Sequence, residues 1–147
     1  MDHKALFPQI VSFIASVHQV KHDLTKEISI DGITPVQYGI LELLAVDQPM
    51  TLSQICECRD MSMPNASREL KKLIDNGLCI KFSTDEDRRK QYISLSPHGE
   101  EVMEQAFAHI WKQLQLRLES ISSEQLAELP KAMELLQHTL FSTQLSK

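Results

Sequence analysis

SMPNASRELKKLIDNGLCIKFSTDEDRRKQYISL, residues 62–95, changes from helical to strand periodicity across a single glycine. Ser62 is a helix-capping residue, and behind it Ala66, Leu70, Leu73 and Ile74 recur at helical spacing on one side. Pro64, Asn65, Arg68, Lys71 and Lys72 occupy the opposite side, and Asn76-Gly77 supplies a left-handed stop. From Leu78 the period becomes two, which predicts Leu78, Ile80 and Phe82 on the packed face of a strand and Cys79 and Lys81 on the other. The polar run STDEDRRKQ and the alternating Tyr92-Ile93-Ser94-Leu95 complete a β-hairpin with a charged tip.

Working toward the N-terminus, Thr51 with Gln54 forms a capping box before a short helix that points Leu52, Ile55 and Cys56 inward, and Asp47-Gln48-Pro49 breaks the chain ahead of it. Two short capped helices joined by the tight link Arg59-Asp60-Met61 make a helix-turn-helix. Thr34, Pro35 and Gln37 start another helix, with cap, first-position proline and capping-box glutamine in order. Leu6, Ile10, Phe13, Ile14, Val17, Val20, Leu24 and Ile28 form an apolar stripe on one long first helix. Toward the C-terminus, Ser96-Pro97 opens a helix striped by Met103, Phe107, Ile110, Leu114, Leu118 and Ile121. Ser122 with Gln125 opens a last one carrying Leu126, Leu129, Met133, Leu136 and Leu140. The fold class is mainly α with a small β-hairpin wing.

At 147 residues and 42% apolar composition, the chain has material for one core, and only 4 glycines agree with a helical class. It lacks an apolar run of membrane-spanning length and an export signal, so a cytoplasmic location is expected. Three cysteines, Cys56, Cys58 and Cys79, are an odd number without structural-zinc spacing, which points to reduced thiols. Nucleophile elbows, phosphate-cradling glycine loops and paired-carboxylate arrangements are missing, so the reading is not an enzyme and needs no cofactor or metal. The net charge of −5 is unevenly spread: Arg59–Tyr92 holds eight Lys and Arg against six Asp and Glu, leaving seven against fourteen elsewhere. The middle of the chain is locally basic and the ends acidic.

Asparagine pairs bidentately with adenine and arginine with guanine, while serine and lysine reach phosphates, so the outer face of residues 62–76 has the mixture a major-groove reader needs. A solvated helix face is the plain alternative. Arg88, Arg89 and Lys90, on a hairpin tip just after this helix, favour the wing of a DNA-binding domain. Such arginines enter the minor groove, with Asp85 or Asp87 holding one by a charge-assisted bond. An exposed ion-pair cluster of little consequence is the alternative here.

The run from Ile33 to Gly99, with SMPNASRELKKLIDNGL and the ending DEDRRKQYISLSPHG, closely resembles the MarR family of bacterial regulators, and the flanking helices extend the likeness over nearly the whole chain. The resemblance implies a homodimer made by helices in 1–30 and 96–147, around a winged helix-turn-helix lobe spanning 31–95. It also implies double-stranded DNA as partner, with two recognition helices in successive major grooves of a pseudo-palindromic operator, roughly 34–36 Å apart. Carried over by position, Ser62, Asn65, Ser67, Arg68 and Lys71 contact bases and phosphates, with Pro64 and Lys72 on the same surface. Arg88 or Arg89 fills the minor groove beside Lys90, and which of the two inserts stays open.

The resemblance further implies a repressor released by a small effector, with Phe13, His18, Tyr38 and Trp111 as pocket residues by analogy and ordinary core as the alternative. The family's peroxide sensors carry a reactive cysteine on the first helix, which this chain lacks; Cys56 and Cys58 stand next to Arg59, a neighbour able to lower a thiol pKa, against the commoner partly buried, inert thiol. His18 and His22, four residues apart, with His109 from a later helix, are the one candidate zinc set, against the commoner solvated pair. A winged helix used for protein contact is the rival function.

Overall fold

Among the described residues, side-chain caps decide where five of the six α-helices begin. In the computed structural model, which describes residues 2–142, Thr34, Thr51, Ser62, Ser96 and Ser122 each accept a bond from the backbone N–H three residues on. These caps satisfy donors that a helix start otherwise leaves unpaired. The elements are α1 (Phe7–Thr25, after a 3-10 turn at His3–Leu6), α2 (Pro35–Val46), β1 (Met50–Thr51), α3 (Leu52–Arg59), α4 (Met63–Asp75), β2 (Cys79–Ser83), β3 (Gln91–Leu95), α5 (Pro97–Leu118) and α6 (Ser123–His138). Thr34, Thr51 and Ser122 form full capping boxes with Gln37, Gln54 and Gln125, as the spacing predicts.

Three expectations need correction. The first helix ends at Thr25, so Ile28 packs against the core from the following loop rather than extending the stripe. The hairpin gains a third strand, β1, in a sheet of order β1-β3-β2, with Met50 opposite Ile93 and Thr51 opposite Tyr92. The packed face of β2 is inverted beyond Leu78: Cys79 is buried, whereas Ile80 and Phe82 are exposed. The antiparallel register sets Cys79 opposite Leu95 and Lys81 opposite Ile93, so the parity of the buried Ile93 and Leu95 selects Cys79. Past that point the hairpin projects beyond the core, and Phe82 and Tyr92, directly opposite each other, stack with ring centroids 5.9 Å apart.

The central lobe and α5 build the core: Ile40, Leu41 and Leu44 of α2, Ile55 of α3, Leu70 and Leu73 of α4, Ile93 of β3 and Met103 of α5 are fully buried or nearly so. Each such side chain contributes about 1.5–3 kcal/mol of apolar burial. The helix-turn-helix corner turns at Asp60, whose left-handed φ of 51° closes α3 with its N–H on the Cys56 carbonyl. Helix α4 stops at Gly77, φ 75°, with the Leu78 N–H returning to the Leu73 carbonyl. The Leu78 carbonyl accepts the Ser96 N–H at 2.9 Å, which joins the exit of α4 to the entry of α5.

Helices α1 and α6 differ from the rest. Neither buries a single residue, although their stripes carry Phe7, Val11, Phe13, Val17, Leu126, Leu129, Met133 and Leu135, all exposed. Helix α1 is joined to the lobe by Lys21–Glu42 at 2.8 Å and Arg117–Asp23 at 3.4 Å, surface pairs of modest strength. Among the described residues no helix is long and apolar enough to cross a membrane.

Candidate nucleic-acid interface

Helix α4 presents its two faces as the sequence predicts. Ala66, Leu70 and Leu73 are buried against the lobe, while Ser62, Pro64, Ser67, Arg68, Lys71 and Lys72 are exposed and Asn65 is half-buried at the rim. Ser62 Oγ accepts the Asn65 N–H, and Pro64 has no N–H, so two leading donors of the helix are withheld from an incoming phosphate. Contact with a nucleic acid at this end therefore falls to side chains. Arg68 Nη2 donates to Asn65 Oδ1 at 2.8 Å, which binds the amide and the guanidinium into one unit on the outer face.

Two side chains tie this helix to α2: Gln37, legible in the sequence only as a cap, and Glu69. Gln37 uses its Oε1 to accept the Thr34 N–H in the α2 capping box and its Nε2 to donate to Glu69 of α4 at 2.9 Å. Glu69 also faces Lys72 at 3.5 Å. Its carboxyl is held below the usual range, first by the Gln37 bond and then by Lys72 and Arg68, with partial desolvation opposing. A glutamine three residues after a capping threonine announces the box, and nothing in the spacing announces its second bond across 32 residues.

The wing tip is folded by Asp87, whose Oδ1 accepts the Arg89 N–H at 3.0 Å and whose own N–H donates to Thr84 Oγ1 at 3.4 Å. Asp87 thus holds the backbone of the turn. Arg88, Arg89 and Lys90 are exposed. Arg89 and Lys90, with Tyr92, line one wall of an open groove of about 850 Å³ whose other wall is Thr51, Ser53 and Gln54 at the start of α3. The basic tip and the entry of α3 thus share a surface that the sequence did not bring together.

Of the four residues assigned to an effector pocket, Phe13 and His18 line one apolar groove of about 510 Å³ between α1 and α6 with Val17, Met133 and Leu136, and Phe13 stacks on Phe141 at 5.8 Å. Tyr38 is half-buried on α2, its hydroxyl pushed up to about 12 by burial and by Glu42, and Trp111 is exposed on α5. His109 faces Glu27 at 3.7 Å, and among the described residues no three His, Cys, Asp or Glu side chains gather as a metal would need, His18 and His22 included. The thiols of Cys56 and Cys58 are both raised, burial first, with Glu57 adding to each and Arg59 opposing only weakly at Cys58, so the neighbouring arginine does not activate them. The Cys56 thiol instead touches Met63 Sδ at 3.3 Å across the helix-turn-helix corner.

The family model described as MarR family matches residues 31–90, from the loop before α2 to the end of the wing tip. An HTH-type transcriptional regulator of Staphylococcus aureus is 34% identical over 94 residues, covering 63% of this chain and 64% of the relative, so the match spans under two thirds of that protein. Among solved structures, S. aureus MarR in complex with salicylate and kanamycin superposes with a TM-score of 0.62 at 25% identity, covering 95% of this chain and 93% of that one. Streptococcus pneumoniae FabT in complex with DNA gives 0.64 at 15% identity, covering 95% and 97%, a likeness of fold. With the capped helix-turn-helix, the three-stranded wing and these matches in agreement, residues 31–90 of the chain match the MarR family, and the fold of the whole chain is similar to that of solved MarR structures.

Proposed function

We propose that this chain is a cytoplasmic, sequence-specific transcription regulator that binds double-stranded DNA as a homodimer on a pseudo-palindromic operator. The observation that carries the reading is α4, closed into the core on one face and offering Asn65, Ser67, Arg68, Lys71 and Lys72 on the other, beside a wing tip of three consecutive cations. Phosphate contacts by the lysines position the helix, and Asn65 and Arg68 reach base edges in the major groove while Arg88 or Arg89 enters the minor groove. The DNA complex of the similarly folded FabT supports DNA as the partner.

The dimer rests on α1 and α6. Adjacent helices whose apolar stripes bury no residue call for a protein cover, and a second copy brings the same stripe by two-fold symmetry. We further infer that the protein represses and is released by a small effector. Such a ligand acts by binding better to a dimer whose recognition helices leave the roughly 34–36 Å spacing, and DNA opposes its binding by the same factor. The salicylate and kanamycin complex of S. aureus MarR supports an effector of this size.

A gel shift with DNA from the region upstream of the protein's own gene, with nonspecific competitor, tests the reading. A specific shift at dimer stoichiometry is expected, and a folded dimer that shifts no DNA contradicts it. The rival reading, a winged helix that docks proteins, has one observation on its side: Ile80 and Phe82 are exposed on the outer face of the wing. Salt-sensitive retention on heparin separates the two, because only a phosphate-binding surface loses affinity steeply with salt.

A further inference from the structure

Resting on that reading, the geometry points to a base preference: Asn65 is a positioning residue for Arg68, and the pair reads a guanine in each half-site rather than an adenine. The observation is the 2.8 Å bond in which Arg68 Nη2 donates to Asn65 Oδ1. Recognition of adenine by asparagine uses both ends of the amide, the oxygen accepting from the base amino group and the nitrogen donating to N7. Here a guanidinium already sits on the oxygen, and its positive charge repels the amino hydrogens that adenine would present.

What this bond leaves unused is a set of donors: the Asn65 amide N–H groups and the guanidinium N–H groups not engaged on Asn65. The major-groove edge matching a donor-only reader is that of guanine, with acceptors at N7 and O6, whereas adenine and cytosine each place a donor there. The same bond removes rotamer freedom from a long exposed side chain before DNA arrives, so less ordering cost falls on the complex. The backbone beneath is fixed as well, since Ser62 Oγ holds the Asn65 N–H and Pro64 sets the first turn. Lys71 and Lys72 lie one turn further along, where they address phosphates.

Binding-site selection from a randomised duplex library with the full-length wild-type, R68A, N65A and N65D proteins tests the assignment. Far-UV circular dichroism of each variant ensures that folded dimers are compared. The wild type is expected to select a G·C pair at one position of each half-site, and 7-deazaguanine at that guanine to weaken binding by about 5- to 150-fold, the range of one bidentate contact. R68A loses the preference at that position alone. N65A blurs it, and N65D restores it at lower overall affinity, because a carboxylate still accepts the Arg68 bond while repelling phosphate.

Selection of an adenine that responds to 7-deazaadenine and to N65A but not to R68A overturns the inference. So does a guanine preference unchanged in R68A. In both cases DNA binding itself stands. Failure of the wild type to enrich any sequence sinks the DNA-binding reading and this inference with it.

Discussion

Replacing Gly99 by alanine tests how the wing and recognition helix are attached to α5. A Cβ built at residue 99 collides with the Leu78 carbonyl oxygen and lies 3.0 Å from its carbon and 3.3 Å from Ser96 Oγ. The obstacle is backbone, and the Leu78 oxygen is also the acceptor of the Ser96 N–H, so it cannot withdraw without weakening that bond. Forcing a methyl group into such a contact costs about 1–3 kcal/mol. A weakened hydrogen bond adds about 0.5–1.5 kcal/mol, and the helical preference of alanine over glycine returns at most about 1 kcal/mol.

The net expectation for Gly99→Ala is a loss of about 2 kcal/mol, seen as a fall in melting temperature of about 4–8 °C at fixed protein concentration. Because Leu78 joins α4 to β2, DNA affinity should fall in the same variant even where it is folded. Gly77→Ala is the control: nothing lies within 4 Å of its Cβ, and only its φ of 75° makes the substitution costly. A Gly99→Ala protein as stable as the wild type, with unchanged DNA affinity, refutes the close approach of α5 to Leu78.

Glu69 gives a pH test: its carboxyl is lowered in the folded protein, so its contribution is complete above the ordinary carboxylate range and is lost as pH falls through its folded value. Glu69→Gln should flatten that acid limb in denaturant titrations, and an identical limb removes Gln37 and Lys72 as the cause. Arg88→Ala with Arg89→Ala should weaken specific DNA binding by about 1–3 kcal/mol for the arginine that inserts, leaving the dimer intact by light scattering; an unchanged footprint sinks the wing assignment. Met133→Lys places a charge in the exposed stripe of α6 and should give monomers by size-exclusion chromatography, whereas a wild-type dimer mass takes α6 out of the interface. Cys79 is buried with its thiol pushed up to about 12, so it should resist thiol reagents at pH 8 until the protein unfolds, and prompt labelling contradicts its place against Leu95.

Helix starts were legible because a cap is local: serine or threonine with glutamine three residues on writes Thr34, Thr51 and Ser122 into the chain, and one glycine at position 77 writes the exit of α4. The two faces of α4 were equally plain, since a period of 3.6 needs only its own residues. What depends on distant partners was not. A two-residue strand such as Met50–Thr51 has no periodicity to detect and exists through its pairing with Ile93 and Tyr92. The inward face of β2 turns on register with β3, where a one-residue difference exchanges Ile80 for Cys79. Within the candidate site, composition marked Asn65, Arg68 and the wing cations, but the Asn65–Arg68 bond, the Gln37–Glu69 bond and the capping role of Asp87 are matters of side-chain geometry.

Hydroxyl-radical footprinting of the wild-type protein on DNA recovered by its own selection is the most direct test of a dimer reading two half-sites. Two symmetric protected regions centred about one helical turn, roughly 34–36 Å, apart are expected, with flanking minor-groove protection that disappears when Arg88 and Arg89 are alanine. A single unsymmetric footprint, or uniform protection without sequence register, contradicts it.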